Sequence, residues 1–330
     1  MILTTGNALT VAQVLSAQQT IRPYLWHTPL LPSIALYRTC GAQVYLKMEC
    51  WQRTGSFKAR GALNRLAHLH PEDRTRQMVT ASAGNHGLGV AYACQVWRLP
   101  AAIIFVPETT PPAKVNRLQS FDCLVRLVGP DYDTAHALAE AYAQDHNALY
   151  ISAYDDPIVI AGQGTVGLEI MEDLPDVDLL LIPVGGGGLI AGVASVVKAL
   201  NPTVRIVGVQ PEASPSAYLS LRDGHPYETY PAGPTICEGL AGGFGRVPFE
   251  IAANLIDEVL IVPEKDIRQA VGWLCRQEQV MAEGSGAIAI APLLNGQINA
   301  VDQKVVAILT GRNLDPALLQ EILAEQRGTL

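Results

Sequence analysis

Short alternating apolar runs and helical apolar stripes take turns along most of this chain. Between residues 77 and 152 the rhythm is regular. It predicts a strand near 77–81, a helix over 86–97, a strand over 101–106, a helix over 112–120, a strand over 123–128, a helix over 134–146 and a strand over 149–152. The helix over 134–146 is the clearest, because Ala135, Leu138, Ala139, Tyr142 and Ala143 recur at helical spacing. Upstream, Thr10 and Gln13 make a capping box for a first helix carrying Val11, Val14 and Leu15, and Val44, Leu46 and Met48 alternate as in a strand. Downstream the pattern predicts a helix over 164–172, a strand over 179–184, a glycine loop opening a small-residue helix, strands over 204–209 and 259–262, a helix through Ile267, Val271 and Leu274, and a strand over 305–309. Asp315 as cap and Pro316 in the first turn start the last helix. Residues 211–250 are rich in Pro, Gly and Ser and read as loops with one short helix near 215–222.

This alternation is that of an α/β protein. It predicts two parallel-sheet, three-layer domains, the smaller (77–152) inserted in a larger discontinuous one (1–76 and 153–330). Ligands of such folds collect at the carboxyl ends of the strands, so the cleft between the domains is the expected site.

The candidate chemistry lies where strands end and helices begin. In Ser56-Phe57-Lys58-Ala59-Arg60-Gly61-Ala62 a lone lysine sits among small and aromatic residues. A lysine that bonds an aldehyde must be a neutral amine, and either desolvation or a nearby positive charge produces one; Phe57 and Arg60 are the expected sources. Gly185-Gly186-Gly187-Gly188-Leu189 follows an apolar strand and opens a helix. That is a phosphate cradle: without Cβ atoms the backbone approaches an anion closely, and the helix N-terminus supplies N–H groups and positive dipole. The same loop fits a loose dinucleotide pattern at Gly186, Gly188 and Ala191. The next strand, however, ends in Gln210 rather than an acid, with Glu212 beyond it, so a nicotinamide-dependent oxidoreductase stays open on weaker grounds. A third loop, Ser82-Ala83-Gly84-Asn85-His86-Gly87, opens a helix with hydroxyl, amide and N–H groups suited to a carboxylate or a cofactor oxygen.

In order, these three segments, Glu283-Gly284-Ser285-Gly286-Ala287 and Thr310-Gly311-Arg312-Asn313-Leu314-Asp315 resemble the fold type II, tryptophan-synthase-β-like, pyridoxal-phosphate enzymes, in their threonine/serine dehydratase and serine racemase branch. The likeness runs nearly end to end, from Arg22 and His27-Thr28-Pro29-Leu30 through Asp156-Pro157 and Gly162-Gln163-Gly164-Thr165 to Asn313. The resemblance implies pyridoxal 5'-phosphate in the interdomain cleft, joined to Lys58 as an internal aldimine. It further implies that Phe57 lies on the ring, Asn85 at the phenolic oxygen, Gly185, Gly186, Gly187, Gly188 and Leu189 around the phosphate, Thr310 facing the pyridine nitrogen and Glu283 beside the ring. Ser82, Ala83, Gly84, Asn85 and His86 are the candidates for the substrate carboxylate. The implied reaction is β-elimination of water from a small β-hydroxy amino acid, Lys58 taking the Cα proton, with a 2-oxo acid and ammonia as products. A neutral hydroxyl at the pyridine nitrogen favours prompt loss of the β-substituent.

Two departures from the racemase pattern narrow the choice. Ala83 stands where racemases carry a second serine and has no proton to give, so racemisation is expected to be minor. Gln210 and Ser216 replace carboxylates of a cation site, so no activating metal is expected, Glu212 being the one substitute. Racemase, β-replacement and hydroxyaspartate-type dehydratase activities are the near alternatives, and an inactive amino-acid sensor a more distant one. Because the chain ends soon after its last helix, feedback by isoleucine through a further domain is not expected.

Composition agrees. With 330 residues, 49% of them hydrophobic and 16% charged, the chain builds two well-buried cores. A net charge of −8 without basic runs argues against nucleic acid. No segment approaches the length of a membrane span, residues 1–6 lack a leader-like pattern, and a cytoplasmic setting is expected. The six scattered cysteines read as packing residues. By resemblance the chain assembles as a homodimer or homotetramer.

Overall fold

A computed structural model of the protein describes residues 8–326, so the reading of residues 1–6 lies outside the described residues. Among the described residues ten strands form two sheets: β1 Leu30–Pro32, β2 Gln43–Lys47, β3 Met78–Ala81, β4 Ile103–Val106, β5 Leu124–Leu127, β6 Leu149–Tyr150, β7 Leu179–Pro183, β8 Arg205–Pro211, β9 Glu258–Val262 and β10 Lys304–Ile308. The larger sheet has the order β1-β2-β10-β7-β8-β9 and the smaller β5-β4-β3-β6. All neighbours are parallel except β1, which runs antiparallel to β2 at the outer edge with Leu31 opposite Leu46.

The central strands are apolar without alternation because both faces of each sheet are covered. Leu179 and Leu181 of β7 join the core on one face of the large sheet, while Leu180 and Ile182 join the core on the other. The small sheet is sandwiched in the same way, but one of its cores recruits Ile21, Leu25, Ala59, Ala62, Leu63 and Leu66 from segments before residue 77. The helix Lys58–Ala67 is thereby wedged between the helices Asn85–Trp97 and Pro157–Asp173.

The first helix, Val11–Ile21, has the expected box: Thr10 Oγ1 accepts from the Gln13 N–H and the Gln13 side chain accepts from the Thr10 N–H. The cap at Asp315 likewise accepts from the Ala317 N–H. One helix is much longer than its apolar pattern predicts. It spans Pro157–Asp173 rather than 164–172, started by Asp156, whose carboxylate accepts from the N–H groups of Ile158 and Val159. Gly162 and Gly164 hid its first turns. They are there for close packing: a Cβ on Gly162 would stand 2.6 Å from the Arg60 carbonyl oxygen. The helix predicted over 134–146 is Tyr132–Asp145, again begun by an aspartate, Asp131, and the loop-rich stretch also holds Arg246–Ala252.

Candidate active site

The site is assembled by two segments distant in sequence. Ser56 bridges to Gly311, and the Phe57 N–H donates to the Thr310 carbonyl at 3.2 Å, so the entry to the helix Lys58–Ala67 is pinned to the chain leaving β10. Lys58 is the first residue of that helix. Its Nζ donates to the Ala153 carbonyl at 3.1 Å and lies 5.2 Å from the centre of the Phe57 ring. Lys58 keeps part of its surface toward the cleft, yet protein atoms crowd it, and burial pushes its amine down from 10.5 to about 8.

Arg60 does not contribute to that shift. Two residues apart on a helix, Lys58 and Arg60 point in nearly opposite directions. The guanidinium is instead forked onto two carboxylates, Glu49 at 2.7 and 2.8 Å and Glu169 at 2.7 and 2.9 Å. Lys47 completes this buried cluster, donating to Glu169 and to the Thr28 carbonyl, both at 2.7 Å. Burial pushes the Glu169 carboxyl up, but Arg60 and Lys47 more than reverse this and hold it at about 2.

From Ala153 the chain turns directly to the glycine loop. The Tyr154 ring is packed so closely on Gly186 that a Cβ there would lie 2.3 Å from it. Gly187, with φ at +94°, caps the helix Gly188–Leu200, and a Cβ on it would meet Phe244 at 2.4 Å. The loop is therefore bare backbone leading into a helix N-terminus, whose first N–H groups lack intrahelical partners. Leu189 turns its side chain into the core of the large sheet and offers the site only its backbone.

Asn85, first residue of its helix, closes the opposite wall. Its Nδ2 donates to Glu283 Oε1, and its Oδ1 accepts from Asn313 Nδ2. Burial pushes the Glu283 carboxyl up to about 7, partly offset by the bond from Asn85. Thr310, buried at the end of β10, spends its hydroxyl proton on the Ser285 carbonyl at 3.1 Å. In the loop before Asn85, Ser82 Oγ accepts from the Gly84 N–H, and Ala83 packs on the core of the small sheet. His86 is buried, and its Nε2 bonds the Ile151 carbonyl at 2.9 Å. A carbonyl only accepts, so this nitrogen carries the proton. Burial, with Lys58 nearby, pushes the imidazole down to about 3 and keeps it neutral.

Lys58, Phe57, Asn85, the glycine loop, Glu283 and Thr310 are thus brought together, whereas His86 turns inward. Sequence reading gave no role to Tyr154, Glu49, Glu169 or Asn313. Asn313 stood in a singled-out motif, and the helical spacing of Lys58 and Arg60 already required a separate partner for the arginine. Gln210 is consumed internally, its Nε2 donating to the Val184 carbonyl at 3.2 Å and its Oε1 accepting from the Tyr218 N–H at 3.0 Å. Among the described residues no group of three or more His, Cys, Asp or Glu gathers to hold a metal, and no helix is long and apolar enough to cross a membrane.

A doubly wound large sheet, a smaller parallel sheet, a neutral-prone lysine and a bare-backbone anion cradle define an α/β enzyme built around an aldehyde cofactor with a phosphate. Residues 21–311 match the family described as pyridoxal-phosphate dependent enzymes, and the chain belongs to that family. It is 41% identical over 316 residues to an L-threonine ammonia-lyase of Thermotoga maritima, covering 96% of this chain and 78% of the relative. Among solved structures it is similar to the processed form of threonine deaminase isoform 2 from Solanum lycopersicum, with a TM-score of 0.88, 34% identity, and 99% and 97% of the two chains covered. It is also similar to maize serine racemase, with a TM-score of 0.89, 30% identity, and 97% and 98% covered. The residues fit the family's cofactor: a loop without side chains that runs into the free N–H groups of the helix Gly188–Leu200 suits its phosphate, and an amine near 8 whose Nζ donates to a carbonyl suits its aldehyde.

Proposed function

We propose that the protein is a pyridoxal-phosphate-dependent ammonia-lyase that removes water from a small β-hydroxy amino acid of the threonine or serine type. The observation that carries this reading is Lys58: a crowded amine at the start of a helix, donating to the carbonyl of Ala153, whose neighbour Tyr154 packs on the glycine loop. Its relatives' names, threonine ammonia-lyase and threonine deaminase, support the substrate class.

In this reading Lys58 would hold the cofactor, residues 185–189 would take its phosphate through backbone N–H groups, and Phe57, Asn85, Glu283 and Thr310 would line the rest of its site. Bound pyridoxal phosphate supplies an electron sink for the pair left on the substrate's Cα. Lys58, freed by the substrate amine, takes the Cα proton at Nζ, which its lowered basicity equips it to do near neutral pH. The Thr310 hydroxyl, with its proton already given to the Ser285 carbonyl, would have none to offer a pyridine nitrogen. Ser82, Ala83, Gly84 and Asn85 present the N–H groups and amide for the substrate carboxylate, and His86 orients their loop from inside through Ile151. The Cα–H and Cβ–O bonds break, the proton taken by Lys58 Nζ passes to the departing hydroxyl so that it leaves as water, and hydrolysis of the released enamine yields the 2-oxo acid and ammonia. Ala83 offers no proton to the other face of Cα, which favours elimination over racemisation.

The four-stranded unit over 77–152 serves as the small domain against the large one formed by 1–76 and 153–330. Copies of the chain associate as a homodimer or homotetramer, an arrangement supported by exposed Leu31, Ile34 and Tyr37 around β1 and the helix after it, in a cytoplasmic setting.

The test is an assay of 2-oxo acid and ammonia from L-threonine, L-serine, their D-forms and L-threo-3-hydroxyaspartate, with and without chelator. Equal amounts of both products from L-threonine or L-serine, insensitive to chelator, are expected. Absence of both from every one of these substrates overturns the proposal.

A further inference from the structure

We propose that Asn313 is a positioning residue that commits Asn85 to act as a hydrogen-bond donor toward the cofactor. The inference rests on the reading that Asn85 meets that group.

The two ends of an asparagine amide have nearly equal shape, so their assignment comes from the bonds around them. Here the wiring starts from a group with no freedom. The Thr54 carbonyl only accepts, so the Asn313 atom 3.1 Å from it is the nitrogen Nδ2. The other hydrogen of that nitrogen points at Asn85, which must meet it with oxygen. Asn85 Nδ2 is thereby turned to Glu283, whose Oε1 takes one of its two hydrogens. The second N–H is left for the cleft. Were Asn85 reversed, its nitrogen would face the Asn313 nitrogen and lose that bond, and its oxygen would face the Glu283 carboxyl, which meets it only when protonated.

Asn313 is well placed for this duty because its segment is clamped on either side. The Arg312 N–H donates to the Gly55 carbonyl at 2.9 Å, and the Glu283 N–H donates to the Gly311 carbonyl at 3.0 Å. The stretch that carries Lys58 and the stretch that carries Asn313 are thus one short ladder, and a single backbone carbonyl fixes the polarity of two side-chain amides in succession. The consequence is chemical. A ligand oxygen beside Asn85 is met by a donor and is favoured as the anion, as a ring phenolate is.

The experiment compares wild type, Asn313→Asp, Asn313→Ser and Asn85→Ala. Pyridoxal phosphate is titrated into each apoprotein, and the visible absorption band of each loaded protein is followed against pH. Asn313→Asp puts an acceptor where a donor stood and reverses Asn85. It is expected to raise the cofactor Kd about tenfold and to move the spectral titration upward by about one pH unit. Asn313→Ser, which keeps one donor, is expected to shift both in the same direction by less. A lowered melting temperature with wild-type band, titration and Kd would mark a merely structural residue and overturn the proposal. Should Asn313→Asp fail to load or fold, an unchanged spectrum and Kd in Asn313→Ser overturns it instead. A shift in Asn85→Ala without one in the Asn313 variants defeats this inference alone. No shift in Asn85→Ala removes the assignment of Asn85 and the proposal with it.

Discussion

Two buried lysines eleven residues apart meet opposite fates. Lys47 lies in a cluster where each charge has a partner: its ammonium meets Glu169, and Glu169 and Glu49 share the Arg60 guanidinium. Lys58 meets the Ala153 carbonyl and the face of Phe57, and across the cleft Glu283 meets the Asn85 amide and the Asn313 backbone, none of them an opposite charge. The first region resolves the cost of burial by pairing and leaves its groups locked in charge. The second resolves it by moving toward neutrality, so that its groups exchange protons near pH 7 to 8. The same residue types therefore serve as a clamp in one place and as chemistry in another, and the helix Lys58–Ala67 joins the two, giving Lys58 to the cleft and Arg60 to the clamp.

The largest effect expected from breaking this contrast is at the active lysine. Lys58→Ala is expected to lower 2-oxo acid formation at least ~1,000-fold and abolish covalent capture of the cofactor, with an unchanged circular dichroism spectrum. Retained turnover would place the chemistry elsewhere. In the clamp, Arg60→Met strands the buried carboxylate of Glu49 and leaves Glu169 with Lys47 alone. It is expected to cost about 3–5 kcal/mol of stability in a denaturant titration, a loss that Lys58→Ala does not share.

Glu283→Gln sharpens the comparison through pH. The folded protein holds a proton on Glu283 between its ordinary 4.5 and about 7, a window in which the unfolded chain has lost it. Stability from this group is therefore present at low pH and is lost as pH rises toward 7. The variant is expected to flatten that slope by on the order of 2 kcal/mol, cleft water screening the remainder, as read from denaturation midpoints at pH 5 and 7. The smallest effect concerns loading. Only the neutral amine captures an aldehyde, so cofactor uptake by apoprotein is expected to quicken about tenfold per pH unit below 8 and level off above it, in stopped-flow absorbance. A rate flat from pH 6 to 9 would contradict the lowered basicity of Lys58.

Much of this was legible in the sequence. The alternation of strands and helices over 77–152 and the loops at Lys58, Asn85, Gly185 and Thr310 stand where expected, because periodicity and caps are local signals. The start of the helix Pro157–Asp173 was not seen, since Gly162, packed against Arg60, and Gly164, packed against Gly192 and Val14, erase an apolar stripe. The partners of Arg60 and Asn313 were hidden for a related reason. Glu169 is 109 positions from Arg60, and Asn313 is 228 from Asn85, so only the folded chain brings each pair together. Arg60, expected to lower the basicity of Lys58, proves instead to be spent on the clamp, and burial alone does that work.

The place of β10 in the large sheet bears on how the molecule is made. It sits between β2 and β7, although it follows both in the chain. At translation speeds of about 5–20 residues per second, tens of seconds pass between the emergence of β2 and that of its neighbour. Until β10 emerges, β2 and later β7 each leave unpaired the edge that β10 will take, the kind of edge on which nascent chains cross-pair. The same late strand delivers Thr310 and Asn313, so the final stitch of the sheet and the closing of the catalytic wall are a single event in biosynthesis.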